Sequence, residues 1–470
     1  MNKQLPILTQ AARFLQKIAF SQLPVDVTFT AKRAVLDYIG VAIAGSDQAV
    51  ANNLRHWAVQ RSLGGTASVI GYDIRLDVES AALVNAAAGH ALDFDDTSWA
   101  TIGHPSTVIV PALLALAETE KKSGKQLLTA YIAGVEVAHK VADLMMPEAS
   151  ENGWHTTGIF YTLGTAAAAC QLLGLDETIT THALALSLSR SSGIRSNFGT
   201  QAKPYHAGMA AKAGLEAVSL AQSGITASAT ALEGVDGFIQ CYASESLAKK
   251  VRSMAKPVMF GIAWDISNKG YAFKKYPNCS GNHPACDLIL TLVEEKTIDW
   301  QQVESIHCGV SLLGPKELVC HQPKTPVEAR FSLEYSIASA LIYGQVTLEE
   351  FTEDKIADTR IQAMMACITM SVDDDLAKLG FIGTAPIKIW ITLKNGECLF
   401  FENDLAIGNP EKPFYDHDFT EKFNKCTQDK MTTSDSNNLL GMLFNLENIT
   451  YIDLITQLIR RVSPYSNPEQ

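Results

Sequence analysis

The chain has 470 residues, 47% hydrophobic and 19% charged, an ordinary globular composition with apolar residues enough for two or three domains. Its formal net charge of -12 excludes the basic footprint that nucleic acid or an anionic membrane surface demands, so neither is expected as a partner. The nine cysteines are scattered and never spaced as CxxC, which argues against a disulfide framework, a structural zinc site or any metal centre built on them.

Met1 to Pro6 lack the apolar core of a signal peptide, and Leu8 to Phe20 reads as an amphipathic helix carrying Arg13 and Lys17. No apolar run reaches the roughly 18 to 20 residues that span a bilayer. A soluble, cytoplasmic chain is expected. From about residue 8 to 265 the period is helical: Leu127, Leu128, Tyr131, Val135, Ala138 and Ala142 recur at three and four. The Ala-rich run Thr165 to Leu173 ends at Gly174, a C-cap signal, and Asp176 is placed to cap the next helix. Another helix is expected from Ala207 to Gln222. Small residues dominate these helices, which predicts close packing and a homodimer formed through this region.

After about residue 270 the texture changes. Ile306, Cys308 and Val310 alternate with polar or small neighbours, and Ile387, Ile389, Ile391 and Leu393 alternate up to Lys394-Asn395-Gly396, a hairpin signal. Pro284 to Lys296 and Glu328 to Tyr343 read as helices between the strands. Helical texture returns in the last fifty residues, before a tail at Ser463 to Gln470. The expected fold is therefore mostly α with α+β: a large all-α domain over 1–268, a smaller α+β lid over 269–413, and C-terminal helices over 414–470 that rejoin the helical domain.

Polar function concentrates in four segments. His90, Asp93, Asp95, Asp96, Thr97, His104 and Ser106 place three carboxylates, two imidazoles and hydroxyls in 17 residues with apolar flanks. A helix from 79 to 97 would put His90, Asp93 and Thr97 on one face and turn Asp95 elsewhere, giving an acid/base constellation once His104 arrives from the next loop. The plainer alternative is a helix end with solvated aspartates. His155 stands between Gly153 and Gly158 at the head of a helix, either structural or open to a ligand. Lys203 precedes Pro204 in an expected extended turn, able to point inward at an anion.

The fourth segment, Lys274 to His283, holds two lysines, Cys279 and His283 where helical texture gives way to strands. It admits a nucleophilic cysteine with His283 as base, a metal site short of soft ligands, or a carboxylate-binding cleft. The cleft needs only the cations. An ammonium about 4 Å from a carboxylate gains roughly 4 kcal/mol at an effective dielectric of 20, so two or three can hold a di- or tricarboxylate. The DxDD pattern of Asp93, Asp95 and Asp96 also matches the acid motif of protonating terpene cyclases, but 8% aromatic residues give little lining for a carbocation.

Taken together, DFDDT and GHPS at 93–106, GWH at 153–155, FGT-x-x-KP-x-HAG at 198–208, K-x-YP-x-C-x-x-x-H at 274–283 and EARFSLEY at 328–335 resemble the MmgE/PrpD family. That family includes 2-methylcitrate dehydratases, cis-aconitate decarboxylases and iminodisuccinate epimerases. The resemblance implies a helical domain with an α+β lid, a homodimer, and cofactor-free chemistry in the cleft between domains. It implies that Asp93, Thr97, His104, His155, Lys203 and Lys274 line the pocket, with His283 on its wall. Asp93, His104, His155 and Lys203 are the expected catalytic set; Thr97, Lys203, Lys274, Cys279 and His283 are expected to bind substrate. Two departures stand out: Cys279 replaces a histidine of the cis-aconitate decarboxylases, and no tyrosine lies near Leu318 to His321 where those enzymes have one. The expected function is a lyase acting on a citrate-like di- or tricarboxylate by proton abstraction beside a carboxylate. The alternatives are an epimerase using the same pocket and a non-catalytic carboxylate-binding protein.

Overall fold

A helix on a core's edge needs one apolar stripe, whereas a helix enclosed by others needs small or apolar residues all round. The computed structural model describes residues 5–268 and 271–460, and its first helix, α1 (Ile7–Lys17), is of the edge kind, burying Ile7, Leu8, Ala11, Ala12 and Leu15. It is followed by α2 (Val25–Gly45), α3 (Ala49–Val59), α4 (Val78–His90), α5 (Ser106–Thr119), α6 (Gly124–Ala142), α7 (Thr156–Leu173), α8 (Glu177–Leu188) and α9 (Ala202–Gln222). Helix α4 is buried continuously from Ser80 to His90. Its small residues and those of its neighbours permit this: a Cβ on Gly45 of α2 would lie 2.1 Å from the Ala88 carbonyl oxygen, and one on Gly208 of α9 would lie 2.6 Å from that of Leu83. As the sequence predicts, α7 stops at Gly174, where φ is 66°, and the Asp176 carboxylate accepts a hydrogen bond from the Ile179 N–H.

The α+β part is built on a four-stranded sheet. Strands β3 (Val303–Val310), β4 (Ile368–Val372), β5 (Ile387–Leu393) and β6 (Cys398–Asn403) lie in the order β4-β3-β5-β6. Only β3 and β4 run parallel. Ile306, Cys308, Ile389 and Ile391 alternate onto a core shared with α10 (His283–Glu294) and α11 (Leu333–Tyr343). The expected helix over 328–343 is broken. A short turn at Pro326–Ala329 is followed by Arg330 and Phe331, and α11 restarts at the Ser332 cap, whose hydroxyl accepts from the Tyr335 N–H.

The C-terminal helices α12 (Asp416–Thr427), α13 (Thr433–Phe444) and α14 (Asp453–Arg460) place Phe419, Phe423, Leu439, Leu443, Ile455 and Ile459 in the same core as α1 to α9. Gly40 makes room for α12, since a Cβ there would lie 3.0 Å from the Phe423 ring. A short antiparallel pair joins the two parts, β1 (Thr97–Ser98) with β2 (Tyr271–Ala272), Thr97 opposite Ala272. The architecture is mostly α with an α+β part, and among the described residues no helix is long and apolar enough to cross a membrane. The first four residues, the expected boundary at 269 and the tail from Ser463 lie outside the described residues.

Candidate active site

The cluster that opens at His90 departs from the helical expectation. Helix α4 ends at His90, Asp93 takes a left-handed backbone with φ of 49°, and Thr97 lies in β1. Aspartate tolerates that conformation better than most side chains, and here its carboxylate is claimed from two sides. The Lys203 ammonium pairs with Asp93 Oδ1. Lys274 Nζ lies 3.1 Å from Asp93 Oδ2 and donates to the Asp93 carbonyl at 2.8 Å. Burial alone would raise the Asp93 carboxyl, but Lys203 and then Lys274 outweigh it and hold it well below the usual carboxylate range.

Lys203 sits in the first turn of α9 rather than in an extended turn. Pro204 is tolerated there because the N–H it lacks would have found no acceptor within the helix. The ammonium is buried between the rings of Phe198 and Phe331, 5.0 and 4.8 Å from their centres. Burial would lower its pKa, yet Asp93 raises it. Lys203 is therefore held as a cation.

Asp95 also corrects the expectation, for it turns into the cluster. His90 Nδ1 donates to Asp95 Oδ2 at 2.8 Å, and His104 Nδ1 lies 3.3 Å from the same oxygen. His104 Nδ1 donates at 2.9 Å to the Asp96 backbone carbonyl. A carbonyl can only accept, so the proton sits on Nδ1 and the Nε2 lone pair is left on the side of Asp93, 3.9 Å from Oδ1. Burial lowers the His104 pKa to about 4. Neutral pH thus finds His104 uncharged, its Nε2 ready to take a proton. His155 is the N-cap residue of α7. Its Nδ1 is 3.1 Å from His206 Nδ1, and burial holds its pKa well below the ordinary histidine value.

Most of these groups border one cavity between the helical part and the α+β part. Asp93, Thr97, His104, His155, Lys203, Lys274 and Cys279 all line it; His283 lines an adjoining hollow shared with Thr97 and Lys274. His283 donates from Nε2 to the Asn278 carbonyl at 3.3 Å, and burial lowers its pKa to about 3. The Cys279 thiol is pushed up by burial and by Glu317, which speaks against a thiolate nucleophile. Thr97 Oγ1, Ser280 Oγ and His155 Nε2 are buried there without a hydrogen-bond partner. Buried polar atoms are rarely left so unless a ligand or water meets them.

Glu317 lines the same cavity. Burial pushes its carboxyl up to about 7, with Lys203 and Arg195 pulling it down. It closes the short turn at Gly314–Glu317, next to the stretch where the sequence lacks the expected tyrosine. Ligand atoms of His90, Asp93, Asp95 and His104 lie within 4.8 Å of one another. A dication among them would meet the ammoniums of Lys203 and Lys274 on Asp93 and the two Nδ1–H donors on Asp95. The donor set suits proton transfer better than metal ligation.

The N-terminal domain of the MmgE/PrpD family matches residues 9–250, and its C-terminal domain matches residues 276–448. The chain belongs to the MmgE/PrpD family. It is 30% identical over 445 residues to the human cis-aconitate decarboxylase, covering 92% of this chain and 90% of that protein. It is 22% identical over 484 residues to the cis-aconitate decarboxylase of Aspergillus terreus, covering 97% and 96%, and 24% identical over 321 residues to the 2-methylcitrate dehydratase of Escherichia coli O157:H7, covering 63% of each.

In this MmgE/PrpD chain the residues singled out by sequence come together at the cavity or its neighbour, while Asp95, Glu317, His206 and Arg330 were missed. Asp95 carried a signal in its proximity to His90. Glu317 carried none, since a glutamate after Gly-Pro-Lys reads as a solvated turn.

Proposed function

We propose that this chain is a cofactor-free lyase that removes water or carbon dioxide from a citrate-like di- or tricarboxylate. The observation that carries the reading is the meeting of two buried ammoniums, Lys203 and Lys274, with the uncharged His104 around one cavity. Ammoniums draw carboxylates into an acidic protein and offset the charge that builds beside a carboxylate as a proton leaves. Relatives named as a cis-aconitate decarboxylase and as a 2-methylcitrate dehydratase support this reading.

For dehydration, His104 Nε2 takes the proton from the carbon beside a carboxylate. The electron pair forms the double bond, and hydroxide leaves with the proton of Glu317, whose raised pKa keeps it available. For decarboxylation of an unsaturated acid, the carbon–carboxylate bond breaks instead and carbon dioxide leaves, its electron pair shifts along the chain, and the proton of Glu317 is delivered to carbon. Asp95 keeps His104 in the required tautomer. Thr97, Cys279 and His283 shape the wall. The α+β part serves as a lid over the cavity, because Lys274, Cys279 and Glu317 belong to it while the other lining groups belong to the helical part. The chain acts as a homodimer through its helical part, so light scattering is expected to give twice 50.9 kDa; the mass of a single chain would refute it.

Incubation with citrate, methylcitrate, cis-aconitate and aspartate-derived acids in D2O, followed by proton NMR, tests the reading. Loss of water or carbon dioxide from one of the tricarboxylates is the expected result. Exchange of a proton beside a carboxylate with inversion and no loss would replace it by the epimerase, and binding without turnover or exchange by a carboxylate-binding protein.

A further inference from the structure

Arg330 breaks the helix expected over 328–343, and its backbone is well used: the Arg330 carbonyl accepts from the Cys279 N–H at 2.9 Å and from Asn282 Nδ2 at 3.2 Å. Its side chain is not. Arg330 is only 3% exposed, Nε and Nη1 are buried without a hydrogen-bond partner, and among the described residues the guanidinium makes no ion pair. The nearest ring, that of Phe351, has its centre 5.5 Å from the guanidinium carbon. An arginine keeps its charge when buried, and a buried charge with no partner is among the costliest arrangements a fold can hold.

Arg330 lines a pocket that also touches His90, Asp93, Gln201, Lys203 and Phe331. Asp93 and Lys203 form the partition between it and the cavity of the candidate active site, since both line each. Lys203 pairs with Asp93; the Asp93 carboxylate also acts on Arg330 through space, yet no acceptor meets the Nε and Nη1 groups of Arg330. The first turn of α9, a helix of 21 residues, also lines this pocket, and the dipole there presents partial positive charge. The planar fork of a guanidinium matches the two oxygens of a carboxylate.

We propose that this cavity is a second anion site, in which Arg330 takes a carboxylate or an oxyanion of similar shape against the first turn of α9. The anion is either a further carboxylate of the molecule held at Lys203 and Lys274 or a separate small ion. The site rests on the geometry of Arg330 and not on the reaction proposed above, so failure of every acid in the panel to turn over leaves it standing.

Bromide soaked into crystals of the whole chain, located by its anomalous scattering, tests it. A peak within hydrogen-bonding distance of the Arg330 nitrogens is expected in the wild type and is expected to vanish in Arg330→Gln. Gln201→Glu provides the same test if Arg330→Gln fails to fold: this position is exposed and its new carboxylate repels an anion without touching the core. It should lower bromide occupancy about tenfold, equivalent to roughly 1.4 kcal/mol of repulsion from the new carboxylate. Calorimetry with tricarballylate separates the sources. If tricarballylate expels the bromide and binds about tenfold more weakly to Gln201→Glu, the carboxylate is the ligand's own; if bromide stays and the affinity is unchanged, the anion is separate. No bromide beside Arg330 in the wild type, at a concentration that loads the Lys203 and Lys274 cavity, overturns the proposal.

Discussion

Asp96 lies behind the candidate site, fully buried, its carboxylate accepting from the Ser106 hydroxyl, from the Ser106 N–H at 3.2 Å and from the Tyr271 hydroxyl at 2.8 Å. Burial, with Asp37 next, raises its pKa to about 8. The folded chain therefore keeps a proton that the unfolded chain gives up above its ordinary value of 3.8. The sign follows: between those two values the unfolded state binds fewer protons, so stability falls as pH rises and the cost is fully present above about 8. Each pH unit is worth about 1.4 kcal/mol, so this one group should cost roughly 3 kcal/mol more at pH 7 than at pH 5. Asparagine has the shape of the protonated acid. Its carbonyl can keep the Ser106 N–H, and its amide can donate to the Ser106 or Tyr271 hydroxyl. Asp96→Asn is accordingly expected to gain on the wild type by roughly 3 kcal/mol on going from pH 5 to pH 7, measured by urea unfolding at both values. An identical difference at the two pH values, or a variant that loses ground as pH rises, would refute the assignment of a neutral acid at this position.

Replacing His104 by Ala should lower turnover by roughly 10² to 10⁴ while tricarballylate still binds, whereas Lys203→Ala and Lys274→Ala should chiefly weaken that binding; a fully active His104→Ala enzyme would remove the mechanism. With His104 neutral above about 4 and Glu317 protonated below about 7, kcat/KM should be bell-shaped between those values, and Glu317→Gln should abolish the basic limb. A wild-type profile flat from pH 5 to 9 would contradict these roles. Lys422→Met leaves the buried Asp37 carboxylate without its ammonium partner at 2.6 Å and should cost about 3 to 5 kcal/mol in unfolding at pH 7, against which wild-type stability would count decisively.

What the sequence made legible was local. Gly174 and Asp176 punctuate α7 and α8 because caps depend on a few adjacent residues, and Lys394-Asn395-Gly396 turns β5 into β6 for the same reason. The site residues were legible from a pattern of motifs spread over the whole chain. What escaped were decisions taken at long range. Helix α4 stops at His90 although Ala91 and Leu92 could continue it, and the Asp93 that follows is held by lysines 110 and 181 residues away. Asp95 turns inward because His104 comes back to meet it. Arg330 looks like any arginine on an amphipathic helix until the break at Ser332 buries it.

The Lys422 ammonium also donates to the Phe94 carbonyl at 2.8 Å, across 328 residues of chain, while neutralising Asp37 on α2. Synthesis runs from the N-terminus, and domains begin to fold as they emerge. Most of the helical bundle therefore leaves the ribosome long before the residue that fixes the loop carrying Asp93 and Asp95. Until α12 arrives, the nascent bundle holds an acid on α2 without its ammonium partner and the Phe94 carbonyl without its donor. Competence at the cavity is thus acquired only after α12 has been made.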